Sequence, residues 1–100
     1  MKKLISQILI SLAFVICAQT LEAQIRDSVA YKRKMNSSYL EAYTQQILGN
    51  TETAITKYED HLDKYATDDA AFYQLARIYS QESQYGLAAE YARRATALNP

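Results

Sequence analysis

The chain contains few of the residues that break or cross-link a fold. Its 100 residues include two glycines, one proline and one cysteine. A single cysteine excludes an internal disulfide framework, so side-chain packing has to hold any folded domain together. The scarcity of glycine and proline, with 49% hydrophobic residues, disfavours a disordered or fibrous chain. The composition therefore predicts a helix-rich globular protein.

An excess of charge of either sign is also missing. Eleven basic residues balance eleven acidic ones, and the longest run of basic residues is Lys32 to Lys34. A nucleic-acid-binding domain normally shows a larger basic surface than this. We interpret the three charges as a solvated face of the chain, and we expect no nucleic-acid partner.

The residues of a catalytic or metal site are scarce as well. The only histidine is His61, and it is flanked by Glu59, Asp60 and Asp63. On a helix, Glu59 and Asp63 point away from His61, and no metalloprotease motif, glycine-rich phosphate loop or cysteine nucleophile accompanies them. We therefore predict a structural, partly buried His61, no enzyme activity, no metal site and no cofactor.

Residues 1–23 have the composition of a secretory signal. Lys2 and Lys3 precede an apolar run from Leu4 to Cys17, and a short polar tail follows. A membrane-spanning helix needs about 20 apolar residues, and this run is shorter and interrupted by serine and glutamine. Export and removal of the segment is the preferred interpretation, with no stable membrane span after cleavage.

Two cleavage positions fit the signal. Cleavage after Ala23 is preferred and cleavage after Ala18 is the alternative, and either leaves a glutamine at the new N-terminus. Lipid attachment at Cys17 is disfavoured, because the bulky Ile16 stands where a lipoprotein signal has a small residue. The mature chain would work in the periplasm, at the cell surface or outside the cell, and residues 24–34 would form a linker.

The spacing of residues 69–100 predicts a helical hairpin. Phe72, Leu75, Ala76 and Tyr79 fall on one face of a first helix. After a short connection at Ser83 to Gly86, a second helical stripe follows. Its members are Ala88, Tyr91, Ala92, Ala95 and Leu98. Such a short connection requires two antiparallel helices.

These residues resemble the tetratricopeptide repeat. The family pattern runs from an aromatic residue through Leu and a small residue to Tyr, then to Ala positions and a closing proline, here Pro100. Ser83 replaces the usual turn glycine, and Ala92 replaces a large aromatic residue, for which Tyr91 is a substitute. The resemblance implies an all-α fold of tandem antiparallel helix-turn-helix repeats, an α-solenoid, after a cleaved signal peptide.

The family period of about 34 residues places a degenerate first repeat at residues 35–68. Gly49 is expected at its helix–helix turn, and Ala54 and Tyr58 keep the family spacing. Ser38 and Glu41 form a capping-box pattern that predicts a helix start there. We therefore expect this repeat to be the N-terminal cap of the array, with a polar outer edge. Residues 69–100 form the second repeat, and Asp68 or Asp69 would cap its first helix.

In the family, the first helices of successive repeats line a groove that holds a partner peptide. The corresponding positions are Tyr39, Tyr43, Gln46 and Ile47 in the first repeat and Tyr73, Arg77, Ser80 and Gln81 in the second. An aromatic wall with one arginine suits a peptide with apolar and acidic groups. The Lys and Asn that clamp a terminal carboxylate in chaperone-binding members are replaced by Tyr39 and Tyr43, so that activity is not implied.

The resemblance implies a non-catalytic scaffold of the bacterial cell envelope that binds a protein or peptide in the groove. The alternative is an N-terminal interaction module of a larger envelope enzyme or signalling protein. Nothing polar follows the second repeat to cover Leu87 and Leu98. We therefore expect either further repeats after Pro100 or self-association through this open end.

Overall fold

A computed structural model describes residues 2–100, and they form four α-helices and no β-strand. The helices are α1 (Lys2–Ile47), α2 (Thr51–Lys64), α3 (Asp69–Gln81) and α4 (Tyr85–Leu98). The predicted all-α class is confirmed. By its internal contacts the chain divides into two compact units, Met1–Arg33 and Lys34–Pro100.

The first unit consists of the N-terminal part of α1. Its large apolar side chains are exposed, and Phe14 is the most exposed of them at 79%. Helix α1 is long and apolar enough to cross a membrane, although a signal sequence near the N-terminus meets the same criteria of length and hydropathy. Residues 24–34, which we expected to be a linker, are helical and belong to α1.

The predicted helix start at Ser38 is wrong, because α1 continues through it without interruption. Ser38 therefore has no free backbone N–H groups to cap, and Glu41 instead lies 3.7 Å from Lys57 on α2. Apolar side chains are also exposed towards the end of this helix. Leu40, Ile47 and Leu48 are 56%, 68% and 65% exposed at the end of α1. A local capping pattern could not reveal that the preceding residues continue the helix.

Two of the three helix–helix connections in the second unit, α1–α2 and α3–α4, have similar backbone geometry. At the end of α1, Gly49 has φ of 82°, and the N–H of Asn50 donates to the carbonyl of Gln45 at 2.9 Å. At the end of α3, Ser83 has φ of 62°, and the N–H of Gln84 donates to the carbonyl of Tyr79 at 2.8 Å. These bonds satisfy helix-terminal carbonyls. Ser83 thus adopts the left-handed conformation that usually requires glycine.

Asp68 is the N-cap residue of α3, as predicted. Its Oδ1 accepts a hydrogen bond from the N–H of Ala70 at 3.2 Å, and its Oδ2 lies 2.6 Å from Nε2 of His61 on α2. One carboxylate therefore caps α3 and ties the α2–α3 connection to the core.

The core of the second unit is built mainly on α3. Six residues form one buried cluster: Ala42, Ala54, Tyr58, Ala71, Leu75 and Ile78. Small residues at Ala42, Ala54 and Ala71 allow the helices to approach closely. Helix α4 packs through Tyr91, whose ring stacks on Tyr79 at 5.5 Å. Tyr91 is partly buried by this contact, while the neighbouring Ala92 is exposed.

The leucines of α4 are partly exposed. Leu87 and Leu98 are 39% and 41% exposed, and no residue of α4 is fully buried. Burial of these side chains would release about 25 cal/mol for each Å² of apolar surface removed from water.

Replacing Ser83 by glycine should stabilise the protein. The positive φ costs a non-glycine residue about 1 kcal/mol, so Ser83→Gly should raise the free energy of unfolding by roughly that amount. Urea unfolding of the whole chain in a non-ionic detergent, followed by circular dichroism, measures the change. Gly49→Ala is the matched control and should be destabilising by a similar amount. Stabilisation by both changes would contradict the argument.

Candidate functional site

A chain of polar side chains links the first three helices inside the second unit. The hydroxyl of Tyr58 on α2 donates to Oε1 of Gln46 on α1 at 2.6 Å. Nε2 of Gln46 then donates to Oε1 of Gln74 on α3 at 3.1 Å. Tyr58 is fully buried and Gln74 is 8% exposed, so these bonds form largely away from water. They connect side chains of α1, α2 and α3.

Aromatic rings cover one side of this polar chain. Tyr39 and Tyr43, one turn apart on α1, stack with centroids 6.0 Å apart and an angle of 11°. The ring of Tyr58 meets Tyr39 edge-on at 5.8 Å. Tyr39 and Tyr43 are only partly exposed. They therefore serve both the packing of the helices and the surface beside α3.

Tyr73 and Arg77 on α3 are more accessible. Tyr73 is 56% exposed, and the guanidinium carbon of Arg77 lies 6.0 Å from the centre of its ring. Arg77 belongs to none of the ion pairs formed among residues 2–100. Its five N–H donors are therefore available to an anionic group of a partner.

The structure brings some of the expected groove residues together and leaves others apart. Tyr39, Tyr43 and Gln46 form one connected cluster on α1. Tyr73 and Arg77 form a separate pair on α3, in which the guanidinium carbon lies 6.0 Å from the ring centre. Ile47, Ser80 and Gln81 are exposed at the C-terminal ends of α1 and α3.

Gln74 belongs to this site but was not predicted from the sequence. It falls between groove and core positions, and its Oε1 accepts a hydrogen bond from Gln46. The sequence does contain a signal for Gln74. Ala71, Gln74, Leu75 and Ile78 occupy one helical face, so a glutamine among apolar neighbours required a hydrogen-bonding partner.

Burial controls the ionisation of two tyrosines at the site. It raises the pKa of Tyr58 far above its ordinary value of 10.0, and the neighbouring Tyr39 adds to the rise. Burial also raises the pKa of Tyr39, while the hydrogen bond with Gln74 partly opposes the rise. Both hydroxyls therefore stay protonated at neutral pH and can act as hydrogen-bond donors.

His61 lies next to this cluster and is 1% exposed. Its ring contacts Tyr65 at 5.0 Å and Tyr39 at 6.1 Å, and Nε2 bonds to Asp68. Nδ1 is buried without a hydrogen-bond partner among residues 2–100. The histidine is thus more deeply buried than expected, and its contacts join α2 to the start of α3.

Residues 2–100 contain no group of three or more His, Cys, Asp or Glu side chains arranged to hold a metal ion. The site offers tyrosine rings, amide groups and one guanidinium, which contribute contact area and hydrogen bonds.

No family model, curated protein or solved structure matches this chain. The resemblance to the tetratricopeptide repeat therefore rests on the spacing of the chain's own residues and on the helical hairpins described above.

The buried tyrosine should make the protein unstable in alkali. Below pH 10 Tyr58 is protonated in both folded and unfolded chains, and its contribution to stability is complete. Above pH 10 the unfolded chain loses this proton while the folded chain keeps it, so the free energy of unfolding falls as pH rises. Urea unfolding across this range, with tyrosinate absorbance as a second signal, measures the effect.

Tyr58→Phe is the matched variant. It should be less stable than the natural chain at neutral pH by about 1 kcal/mol, because Gln46 loses a donor. Its stability should fall less steeply above pH 10. An identical alkaline slope in both proteins would show that Tyr58 does not cause the effect.

Proposed function

We propose that this protein is a tetratricopeptide-like scaffold of the bacterial cell envelope that binds a peptide segment of a partner protein. The hydrogen bond between Gln46 and Gln74 is the observation that carries the proposal. It joins the first helix of one hairpin to the first helix of the next, which is the arrangement that lines the groove in the tetratricopeptide family. A buried bond of this kind fixes the groove before any partner arrives.

The proposed partner segment carries both apolar and acidic groups. Tyr73 supplies an exposed ring, and Arg77 supplies a guanidinium that no carboxylate within residues 2–100 neutralises. A carboxylate of the partner can accept two parallel hydrogen bonds from Arg77, while an adjacent apolar side chain covers Tyr73. Tyr39, Tyr43, Gln46 and Gln81 complete the proposed groove.

The cell envelope is proposed from the N-terminal unit. Its exposed apolar side chains are unfavourable in water, so the segment is either removed after export or held in a membrane. We favour a signal peptide, cleaved after Ala23 or after Ala18. A retained span would leave the second unit at the membrane surface, and the groove proposal is the same in both cases.

The groove should lose affinity when either of its accessible residues is removed. An array of short peptides rich in Asp, Glu, Leu and Tyr supplies a ligand, and fluorescence anisotropy measures its affinity for the whole chain in a non-ionic detergent. Tyr73→Ala and Arg77→Ala should each weaken binding about tenfold, because each removes a central contact.

The matched controls are Tyr85→Ala and Arg93→Ala. Both residues are exposed on α4, and neither belongs to the proposed groove. They should change the affinity less than twofold, a margin of roughly 0.4 kcal/mol. Equal losses in all four variants would indicate non-specific attraction and would overturn the groove assignment.

Export should leave a new N-terminus at one of two glutamines. The whole chain with a C-terminal tag, produced in a bacterial host, should start at Gln24 or Gln19 by mass spectrometry of the purified protein. Replacing Ala23 by Lys should move cleavage to Ala18 or abolish it. A natural chain that keeps Lys2 and Lys3 and sediments with the membranes would overturn cleavage and favour the span.

A further inference from the structure

A second cleft lies in the unit Lys34–Pro100, away from the residues assigned to the peptide groove. It has a volume of about 340 Å³ and lies between the C-terminal half of α1 and the end of α2. Its lining residues are Lys34, Ser37, Ser38, Glu41, Lys64 and Tyr65. A cleft of this size falls at the lower end of the range occupied by small-molecule ligands.

The charges around the cleft leave an excess of positive charge inside it. Lys34 and Lys64 belong to none of the ion pairs among residues 2–100. Glu41 is the one carboxylate in the lining, and its Oε2 lies 3.7 Å from Nζ of Lys57. Lys57 is not a lining residue. Glu41 thus has a cationic partner outside the cleft, while Lys34 and Lys64 form no ion pair, and the lining carries two positive charges against one negative charge.

The neutral donors of the cleft also favour an anion. The hydroxyls of Ser37 and Ser38 form no hydrogen bond within the described chain, so both can donate to a ligand. The end of α2 would ordinarily repel an anion through its free carbonyls. The carbonyl of His61 accepts from the N–H of Tyr65 at 2.8 Å, and that of Tyr65 accepts from the N–H of Asp68 at 3.1 Å. The two lysines therefore have to outweigh only the partial negative charge of the remaining carbonyls.

We propose that this cleft binds a phosphate group. A phosphate presents several acceptor oxygens around one centre, which matches two ammonium groups from different helices with two adjacent hydroxyls. Aromatic stacking of a base plays no part, because Tyr65 is the only ring among the lining residues and it packs on His61. The ligand is therefore a small phosphate ester or the phosphate of a lipid headgroup.

The test measures phosphate binding to the whole chain in a maltoside detergent, which itself carries no phosphate. Backbone amide resonances of Ser37, Ser38 and Tyr65 are followed by nuclear magnetic resonance during titration with glycerol phosphate. In a parallel titration, phosphatidylglycerol is added to the micelles. Saturable shifts with the ester assign a soluble ligand, and shifts with the lipid alone assign a headgroup. The absence of saturable shifts in both titrations would overturn the proposal.

Two substitutions with opposite expected effects separate binding from a structural role. Lys64→Gln should weaken binding about tenfold, because it removes one charge-assisted contact. Glu41→Gln should strengthen binding several-fold, because it removes the only negative charge from the lining. Arg93→Gln makes the same change of charge as Lys64→Gln on exposed α4 and should leave affinity within twofold of the natural chain.

Circular dichroism of each variant checks that its helices persist, since loss of structure alone would also weaken binding. Because Glu41→Gln is expected to bind more tightly, damage to the fold cannot mimic that result. Equal affinities for Lys64→Gln and the natural chain would overturn the assignment to this cleft. So would an equal loss of affinity in Arg93→Gln, which would indicate general attraction to a basic surface.

Discussion

The buried hydroxyl of Tyr58 imposes the constraint on which much of the second unit depends. A hydroxyl withdrawn from water without a partner costs a few kcal/mol, and Tyr58 avoids that cost by donating to Gln46. The acceptor has to be held in place, and its amide group is anchored in turn by Gln74. Two hydrogen bonds thus link side chains from three helices. The surrounding alanines and Leu75 supply the close packing, but apolar contacts alone specify the register of the helices less sharply.

The same network shapes the proposed binding surface. Because Gln46 and Gln74 are committed to each other, the more accessible groups left on this side include Tyr73 and Arg77. Their cation–π contact limits the freedom of the arginine side chain before a ligand binds, which reduces the entropy lost on binding. Tyr39 and Tyr43 hold each other by stacking. Some residues of this surface therefore both pack between the helices and line the proposed peptide groove. Substitutions at Tyr39 would change both the stability of the protein and its binding of a peptide.

Acidic and basic side chains predominate in different clefts of the second unit. Three of the carboxylates on α2, at Glu59, Asp60 and Asp63, line a cleft with Arg94 of α4. The proposed phosphate cleft carries Lys34 and Lys64 instead. A chain with no net charge can therefore present local fields of both signs, and net charge excludes only partners that require an extended surface of one sign. The arginine of the peptide groove and the lysines of the phosphate cleft can be tested separately.

The helical class, the turn at Gly49, the cap at Asp68 and the stripe from Phe72 to Tyr79 could be predicted from sequence, because each depends on neighbours within a few residues. The helix start assigned to Ser38 was wrong for a related reason: a capping box indicates where a helix can start, whereas α1 is already helical before it. The pairing of Gln46 with Gln74, 28 residues apart, and of His61 with Asp68 required the packed structure. Which polar side chains meet across helices depends on helix register and side-chain direction, and these emerge only when the hairpins pack.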